Sequence, residues 1–287
     1  MTTPRPDTLA DAARVARVAL AEDGAADITS EVAIAPGLGG TGAIEFRSGG
    51  VLAGTAYADA VVEAVGLRPI AWRTGDGERV AAGATVGSYG GALPQVLRAE
   101  RTLLNLLQRA CGIATATRAY VDAVAGTGCR ILHTRKTAPG LRELDVGAVL
   151  AGGGVAHRLN LAAAVMVKDN HWRALERSGR TLRQALDAAR ARGVTALYVE
   201  VESLPQIEAA CEAGASRLLV DNQTPATFRE WAALARARRP GMELEATGGI
   251  TLQNVRAYAE AGAEYASIGA LTHSVQAADV AVEVTVD

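Results

Sequence analysis

The amino-acid sequence predicts an α/β protein in which a mixed, turn-rich α+β part precedes a (β/α) barrel that is complete or lacks one or two strands. Two observations carry this prediction. After residue 128, short β-rich runs alternate with helical segments, and from residue 163 the runs recur about every 20 to 33 residues, the spacing of successive βα units. The runs are almost continuously apolar, as buried parallel strands are. A doubly wound open sheet is the alternative architecture.

The first part of the chain mixes helices, short strands and glycine turns. Residues 8–22 predict an amphipathic helix, and the turn-rich stretch EDGAADITS follows it. The strands GAIEFRS and VLAG flank a Gly-Gly turn, a helix (TAYADAVVEAVG) comes next, and PIAWRTGDGERVAAGATVGSY holds two more short strands. From Leu93, leucines recur at helical spacing through a long helix, with an expected break near Gly112.

Six strand-like runs predict the barrel. They are CRILHT (129–134), AAVMVKDN (163–170), ALYVEVES (196–203), SRLLVDN (216–222), MELEATGG (242–249) and YASIGA (265–270). Helical segments fill the gaps between them, and several of these end in glycine, the residue that closes a helix in a left-handed conformation.

The composition excludes several classes of protein. The 287 residues are 49% hydrophobic and carry a net charge of −2 without a long basic stripe, so nucleic acid is not an expected partner. Three widely spaced cysteines without a CxxC motif argue against a disulfide framework and a structural zinc site. The N-terminus does not resemble a signal peptide, and no uncharged apolar run approaches the roughly 20 residues of a membrane span. We therefore expect a cytoplasmic protein that does not bind membranes.

The chain has only two lysines, Lys136 and Lys168, among 29 basic residues. Arginine has therefore replaced lysine almost everywhere that a surface cation is needed. A lysine is a compact point charge whereas arginine is a planar fork, so the two are not interchangeable at a packed anion site. We expect both remaining lysines to contact an anionic substrate.

Polar residues follow each apolar run at its C-terminal end, where the catalytic residues of barrels converge. They are Arg135-Lys136, Lys168-Asp169, Glu200 and Glu202, Asp221-Asn222, Glu245, and Thr247-Gly248-Gly249. The cations, together with His157 and Arg158 of GGGVAHR, predict a pocket for a multiply anionic substrate. The carboxylates predict binding of Mg²⁺ or of hydroxyl groups, because carboxylates plus phosphate are the usual magnesium ligands. An internal salt-bridge network is the alternative.

Two glycine segments predict phosphate sites. EATGGITLQN runs from a strand through Thr-Gly-Gly to an expected helix, so that backbone N–H groups and the helix N-terminus face one spot. SIGALTHS repeats the arrangement after the last strand with Gly269, Thr272 and His273, and barrels often bind phosphate with their last two loops. The third segment, AGGGVA (151–156), lets the backbone pass close either to a ligand or to another helix.

Taken in order, the motifs HTRKTAPGLR, GGGVAHRLNL, VKDNH, VEVES, LLVDN, EATGGI and SIGALTHS resemble the quinolinate phosphoribosyltransferase family. The resemblance also includes ADITSEV and AERTLLNLLQRACGIAT, and so covers nearly the whole chain. It implies an N-terminal α/β sandwich domain and an incomplete (β/α) barrel of the type II phosphoribosyltransferase kind. We place the first domain at 1–110, the catalytic barrel at 111–273, and expect the tail 274–287 to pack with the first domain.

The resemblance implies that quinolinate and phosphoribosyl pyrophosphate react with Mg²⁺ as cofactor, giving nicotinate mononucleotide, pyrophosphate and carbon dioxide for NAD biosynthesis. It also implies a homodimer, or a higher oligomer, with shared active sites. By motif position the quinolinate carboxylates are bound by Arg135, His157, Arg158 and Lys168 with Lys136 beside them, and by Arg101 from the partner subunit. Glu200 and Asp221 face the ribose and the Mg²⁺–pyrophosphate, whereas Thr247, Gly248, Gly249, Gly269 and His273 bind the 5′-phosphate. The expected catalytic residues are Glu200, Asp221, Lys136 and Lys168.

Three departures from the family pattern lie beside the substrate motifs. Ala156 stands where asparagine is usual, Val146-Gly147 where Lys-Tyr is usual, and His133 where aspartate is common. They leave open a phosphoribosyltransferase for another aromatic acid. A related group associated with molybdate-transport operons shares the stretch at 148–158 but usually lacks an intact KDNH. A non-enzymatic binding protein is a further alternative, which the intact carboxylates and phosphate loops oppose.

Overall fold

The computed structural model describes residues 6–287. These residues form two compact units. The first unit comprises residues 6–118, 136–154 and 270–287, and the second unit comprises residues 119–135 and 155–269. Because segments of the chain alternate between the units, the motif 131–145 contributes to both.

The first unit is built on an antiparallel sheet with the strand order β12-β1-β5-β3. Its central strand β1 pairs with β5 on one side and with β12, near the C-terminus, on the other. The strands of this unit are β1 (Gly39–Phe46), β2 (Gly50–Val51), β3 (Ala71–Trp72), β4 (Arg79–Val80), β5 (Ala84–Ala92) and β12 (Val280–Val286). Its helices are α1 (Pro6–Glu22), α2 (Ile28–Ala33), α3 (Thr55–Ala64), α4 (Leu93–Ala123, whose last turns enter the second unit), α5 (Arg142–Ala151) and α11 (Ala270–His273).

Two predictions for this unit were wrong. Helix α4 is not broken at Gly112, because this glycine serves a close backbone contact instead. A Cβ atom there would lie 2.2 Å from the carbonyl oxygen of Gln276, so only glycine lets the C-terminal segment pass. Helix α2 begins within the stretch EDGAADITS, which we expected to be rich in turns, and Asp27 caps it by accepting the N–H of Ser30 at 3.1 Å.

The second unit contains six parallel strands in the order β6-β11-β10-β9-β8-β7. The strands are β6 (Arg130–Leu132), β7 (Val165–Val167), β8 (Leu197–Val201), β9 (Arg217–Asp221), β10 (Glu243–Thr247) and β11 (Tyr265–Ser267), and the helices are α6 (Asp169–Ser178), α7 (Leu182–Arg190), α8 (Leu204–Ala213), α9 (Pro225–Arg238) and α10 (Val255–Glu260). The first strand lies beside the last, as in a barrel, whereas a doubly wound sheet reverses its strand order in the middle. The sheet stays open between β6 and β7, which confirms an incomplete (β/α) barrel.

Sequence and burial explain these strands. Val199, Leu218, Leu244 and Ala266 are completely buried, so each strand covers one face of the sheet with apolar side chains. Helices α6 and α8 end at Gly179 and Gly214 with φ of 65° and 77°, the left-handed closure that glycine permits. Because all six strands are parallel, their C-terminal ends lie at one edge of the sheet. We call this edge the strand-end edge.

Candidate active site

Ten of the thirteen predicted substrate residues belong to the second unit, and most of them follow or end its strands. They are Arg135, His157, Arg158, Lys168, Glu200, Asp221, Thr247, Gly248, Gly249 and Gly269. Lys168 directly follows β7, Glu200 lies within β8, and Asp221 and Thr247 are the last residues of β9 and β10. The second unit therefore holds residues from seven separate sequence motifs.

Lys168 and Glu200 form an ion pair between neighbouring strands. The Lys168 side chain is 41% exposed, whereas that of Glu200 is 9% exposed, so the cation reaches outward from a buried carboxylate. Helix α6 supports both residues. Its His171 accepts the backbone N–H of Lys168 at 3.0 Å through Nδ1, and Nε1 of Trp172 donates to the backbone oxygen of Glu200 at 2.9 Å. The family motif VKDNH therefore positions this lysine against the next strand.

Asp221 adds a second carboxylate on the next strand. Burial, followed by the negative charge of Glu200, raises the pKa of Asp221 above its ordinary value. Nδ2 of Asn222 donates to Oδ2 of Asp221 at 2.6 Å. Asn222 is the only residue other than glycine with a positive φ, 52°, in the part of the chain that the structure describes. Such a conformation is costly for a non-glycine residue and is common at functional sites.

The donor set at Glu200 and Asp221 fits a magnesium ion that is shared with a phosphorylated substrate. Mg²⁺ is typically bound through one or two carboxylates plus substrate phosphates, and it retains several waters. A divalent cation would also relieve the repulsion that raises the pKa of Asp221. Among residues 6–287, no three His, Cys, Asp or Glu side chains are grouped so that they could hold a metal ion.

The Thr-Gly-Gly loop packs against Asp221 and Asn222. Gly248 and Gly249 have φ of 76° and 60°. A Cβ atom on Gly248 would lie 2.3 Å from Oδ1 of Asn222 and 2.7 Å from Oδ1 of Asp221, whereas one on Gly249 would meet no atom within 4 Å. Gly248 is therefore required by the close approach of the two loops, and Gly249 by its backbone conformation alone.

The helix that we expected directly after this loop begins later. Helix α10 starts at Val255, after a turn at 251–254 that the side chain of Asn254 stabilises. Asn254 accepts the N–H of Thr251 at 2.8 Å and donates to the backbone oxygen of Gly249 at 3.0 Å. The prediction that a helix N-terminus adjoins Thr-Gly-Gly was therefore wrong, because the asparagine closes a turn first.

Arg135 and Arg158 add two further cations to the second unit, besides Lys168. Burial, followed by repulsion from the Arg135 guanidinium, lowers the pKa of Arg158 below its ordinary value. Arg158 also donates to the backbone oxygen of Ala164 at 3.3 Å. Two guanidinium groups that repel each other favour a ligand with more than one negative charge.

His157 lies beside these arginines and is held by a buried carboxylate. Its side chain is 6% exposed, and its Nε2 lies 3.3 Å from Oε2 of Glu245, whose side chain is 1% exposed. Burial alone would raise the pKa of Glu245, but hydrogen bonds from His157 and Ser267 and the charge of Arg217 outweigh it and keep the pKa below its ordinary value. Glu245 therefore remains ionised inside the unit.

Of the network behind His157, only Glu245 was among the predicted strand-end residues, and it lies buried in the middle of β10 and not at its end. Arg217 contacts Glu245 at 3.2 Å and Glu243 at 2.9 Å, and its guanidinium lies 4.7 Å and 3.7 Å from the ring centres of Tyr198 and Tyr265. The sequence held one signal for it, because Glu243 and Glu245 are two residues apart and so share a face of their strand. This buried salt-bridge network is formed by Arg217, Glu243 and Glu245, and not by the cluster of Glu200, Glu202 and Asp221 for which we considered that alternative.

The remaining three predicted residues lie in the first unit. Arg101 is 64% exposed on α4. The backbone oxygen of Lys136 accepts the hydroxyl of Thr272 at 2.8 Å, and Nδ1 of His273 lies 2.7 Å from Oγ of Ser274. These contacts connect the loop of Lys136 to α11, which follows Gly269.

An ion pair that we did not predict supports the Lys136 loop. Arg109 donates two hydrogen bonds of 2.7 Å to the fully buried carboxylate of Asp145 and a third of 3.0 Å to the backbone oxygen of Thr272. Oδ2 of Asp145 also accepts the N–H of Ala138 at 3.0 Å. One buried carboxylate thus connects α4, α5 and the loop after Lys136.

The departures from the family pattern have different environments. His133 is 1% exposed, and Val146 is buried on α5, whereas Gly147 and Ala156 are exposed. The three cysteines are buried and free. No helix within residues 6–287 is long and apolar enough to cross a membrane.

Comparison with known proteins places these features in one family. The model for the N-terminal domain of quinolinate phosphoribosyl transferase matches residues 27–111, and the model for its C-terminal domain matches residues 113–283. The curated nicotinate-nucleotide pyrophosphorylase (carboxylating) of Mycobacterium leprae is 39% identical over 267 residues, 90% of each chain. The human protein of that name is 37% identical over 244 residues, 83% of this chain and 80% of the relative.

Solved structures agree with this assignment. The nicotinate-nucleotide pyrophosphorylase from Francisella tularensis superposes with a TM-score of 0.89 at 30% identity, covering 99% of this chain and 98% of that chain. Both domains match in order, and the similarity extends across the first unit and the second. The protein belongs to the quinolinate phosphoribosyl transferase family.

Proposed function

We propose that the protein transfers the phosphoribosyl group of phosphoribosyl pyrophosphate to the ring nitrogen of quinolinate and releases carbon dioxide, as the names of its relatives imply. The products are nicotinate mononucleotide, pyrophosphate and carbon dioxide, and the reaction belongs to NAD biosynthesis. The observation that carries the proposal is the division of charge at the strand-end edge. The guanidinium groups of Arg135 and Arg158 repel each other, and the carboxylates of Glu200 and Asp221 repel each other on neighbouring strands.

The cations suit the acceptor. Quinolinate carries two carboxylates on adjacent ring carbons, and planar arginine forks bind such groups through paired hydrogen bonds. Arg135 and Arg158 would bind this dianion, with the point charge of Lys168 completing the neutralisation. Binding by fixed charges also orients the ring nitrogen toward the ribose, which lowers the entropic part of the barrier.

The carboxylates suit the ribose. When the bond between C1 and pyrophosphate breaks, the ribose ring acquires positive charge, as in other glycosyl transfers. Glu200 and Asp221 would stabilise this charge electrostatically, and such preorganised stabilisation is usually the largest catalytic effect. Mg²⁺, bound partly through Glu200 and Asp221, would supply neutralisation of the pyrophosphate charge. Gly248, Gly249 and Thr247 would bind the 5′-phosphate.

Decarboxylation follows from the first step. Once the ring nitrogen carries the ribose and a positive charge, the bond from C2 to its carboxylate breaks, and the electron pair stays at C2. A proton then adds at C2 to give the nicotinate product. No covalent bond to the protein is needed, so the residues at the site bind and stabilise rather than attack.

The test compares acceptors. Purified protein with Mg²⁺ and phosphoribosyl pyrophosphate should form nicotinate mononucleotide from quinolinate and none from nicotinate, measured by mass spectrometry of the products. A second candidate, transfer to another aromatic acid, is favoured by the exposed Ala156 beside His157. Pyrophosphate release with a different aromatic acid and none with quinolinate would replace our proposal with that one. Absence of release with every acceptor would favour a binding protein.

We also propose a homodimer in which Arg101 contributes to the partner's site. Two features support it. Arg101 is 64% exposed on a helix of the first unit. Ile28 and Val32 are 71% and 80% exposed and four residues apart on α2, so they form an apolar stripe on a short surface helix.

A further inference from the structure

His133 contacts the main chain of the proposed acceptor site. It lies just after β6, and its ring is 1% exposed. Nε2 of this ring accepts the backbone N–H of His157 at 2.9 Å. The hydrogen bond joins the end of the first barrel strand to the segment that carries His157 and Arg158.

The geometry determines the proton positions on both rings. A backbone N–H can only donate, so Nε2 of His133 must be unprotonated, and its proton lies on Nδ1, which faces the backbone oxygen of Thr134 at 3.3 Å. In His157, Nδ1 accepts the backbone N–H of Arg158 at 2.7 Å, so the proton lies on Nε2, which faces Glu245. The two rings, 6.4 Å apart between centres and nearly perpendicular, are therefore opposite neutral tautomers.

We propose that His133 is a positioning residue for binding of the aromatic acid, acting through the backbone of His157. Together with Glu245 it holds His157 from two sides, which sets the direction in which Arg158 leaves the main chain toward Arg135. This inference rests on the proposed function, because it assigns the Arg135–Arg158 pair to the acceptor. It predicts that substitution of His133 raises the KM for the aromatic acid. The KM for phosphoribosyl pyrophosphate should not change, because the proposed contacts of that substrate come from other loops.

The first experiment tests the tautomers without using activity. The chain has four histidines. In protein labelled with ¹⁵N-histidine, two-bond ¹H–¹⁵N spectra distinguish the tautomers, and the single substitutions His133→Asn and His157→Asn assign the two rings. We expect a protonated Nδ1 for His133 and a protonated Nε2 for His157. Protonated Nε2 on His133, or a ring that carries both protons at neutral pH, would overturn the proposal.

The second experiment separates positioning from a general structural role. In His133→Leu the N–H of His157 loses its acceptor, and leaving a buried donor unpaired should raise the KM for quinolinate by about 10-fold or more. The KM for phosphoribosyl pyrophosphate should change by less than about 2-fold, because the substitution removes no contact that binds this substrate. His133→Gln retains a side-chain oxygen that can take the place of Nε2 as acceptor, so its quinolinate KM should return to within about 3-fold of the wild type.

A matched control is Ile131→Ala in β6, the strand that precedes His133, where a buried apolar side chain is shortened. It should lower the melting temperature without changing the ratio of the two KM values. Equal increases of both KM values in His133→Leu, or no recovery in His133→Gln, would contradict a positioning role. If the wild-type protein does not convert quinolinate at all, the proposed function fails, whereas the spectra still decide whether His133 makes this hydrogen bond.

Discussion

Lys168 and Glu200 form an ion pair between the ends of β7 and β8, with the lysine more exposed than the carboxylate. Lys168 is proposed to bind the acceptor and Glu200 to stabilise the charge on the ribose, so the ion pair connects the two parts of the site. We predict that Lys168→Arg lowers kcat/KM for quinolinate by about 100-fold, because the guanidinium fork cannot occupy the place of the compact ammonium group. Steady-state kinetics would measure this. The control Arg173→Lys, at a side chain of α6 that is 74% exposed, should leave kcat/KM unchanged.

We predict that ionised Asp221 lowers the stability of the folded protein although the reaction requires it. Its pKa is raised, so the native protein holds this proton more tightly than the unfolded chain, and ionisation of Asp221 costs stability as pH rises above 3.8. Asp221→Asn should therefore unfold at a melting temperature higher by up to about 3 °C at pH 8 while losing nearly all activity. The difference in melting temperature should shrink as the pH is lowered toward 3.8, the ordinary pKa of the group, because Asp221 then takes up its proton. A variant less stable than the wild type at pH 8 would show that this carboxylate is not repelled.

Gly248 and Gly249 provide an internal comparison. Alanine at either position must adopt a positive φ, which costs roughly 1 kcal/mol. Only Gly248→Ala also forces an atom to within 2.3 Å of the Asn222 side chain. We predict that Gly248→Ala is less stable than Gly249→Ala by about 1–3 kcal/mol in urea unfolding and that it raises the KM for phosphoribosyl pyrophosphate more strongly. Equal losses of stability would mean that the loops are not in close contact.

Arg109 is predicted to support the Lys136 loop through Asp145. Arg109→Lys keeps the charge but loses the paired hydrogen bonds to a fully buried carboxylate, and breaking such a pair typically costs about 3–5 kcal/mol when one partner is removed. Since the lysine still supplies charge, we expect a smaller loss of about 1–3 kcal/mol in the free energy of unfolding. Arg256→Lys, in an exposed pair on α10, should cost less than about 0.5 kcal/mol by the same measurement.

Shared active sites predict recovery of activity in mixed dimers. Arg101→Ala and Lys168→Met should each be inactive alone. If Arg101 acts in the partner's site, refolding an equal mixture leaves one intact site in each heterodimer, which gives about one quarter of the wild-type activity per subunit. If Arg101 acts in its own subunit, the mixture should stay as inactive as either variant.

The sequence predicted the barrel well because its signal is local. Each strand of the second unit lies inside an apolar run that also ends in a polar residue, so the run and the site at its end were read together. The break near Gly112 was predicted wrongly because the contact that requires glycine at this position is not local in the sequence. It faces Gln276, more than 160 residues away in the chain.

The same distinction applies to the site. Lys168 and Asp221 were identified as candidates from their position after strands, and their roles remain predictions that the variants above would test. The roles of His133, Glu245 and Arg109 could not be predicted, because each depends on a hydrogen bond between distant segments. His133 meets His157 only when the end of β6 lies beside the segment 155–158, and the bridge between Leu132 and Val155 creates that arrangement.

The most direct test of the central claim is the stoichiometry of carbon dioxide and pyrophosphate release from quinolinate labelled with ¹⁴C in its 2-carboxyl group. With phosphoribosyl pyrophosphate and Mg²⁺, we predict that purified protein releases one labelled carbon dioxide for each pyrophosphate. Neither should form in Lys168→Met or in the absence of quinolinate. Pyrophosphate without labelled carbon dioxide, or no release of either product, would contradict the account.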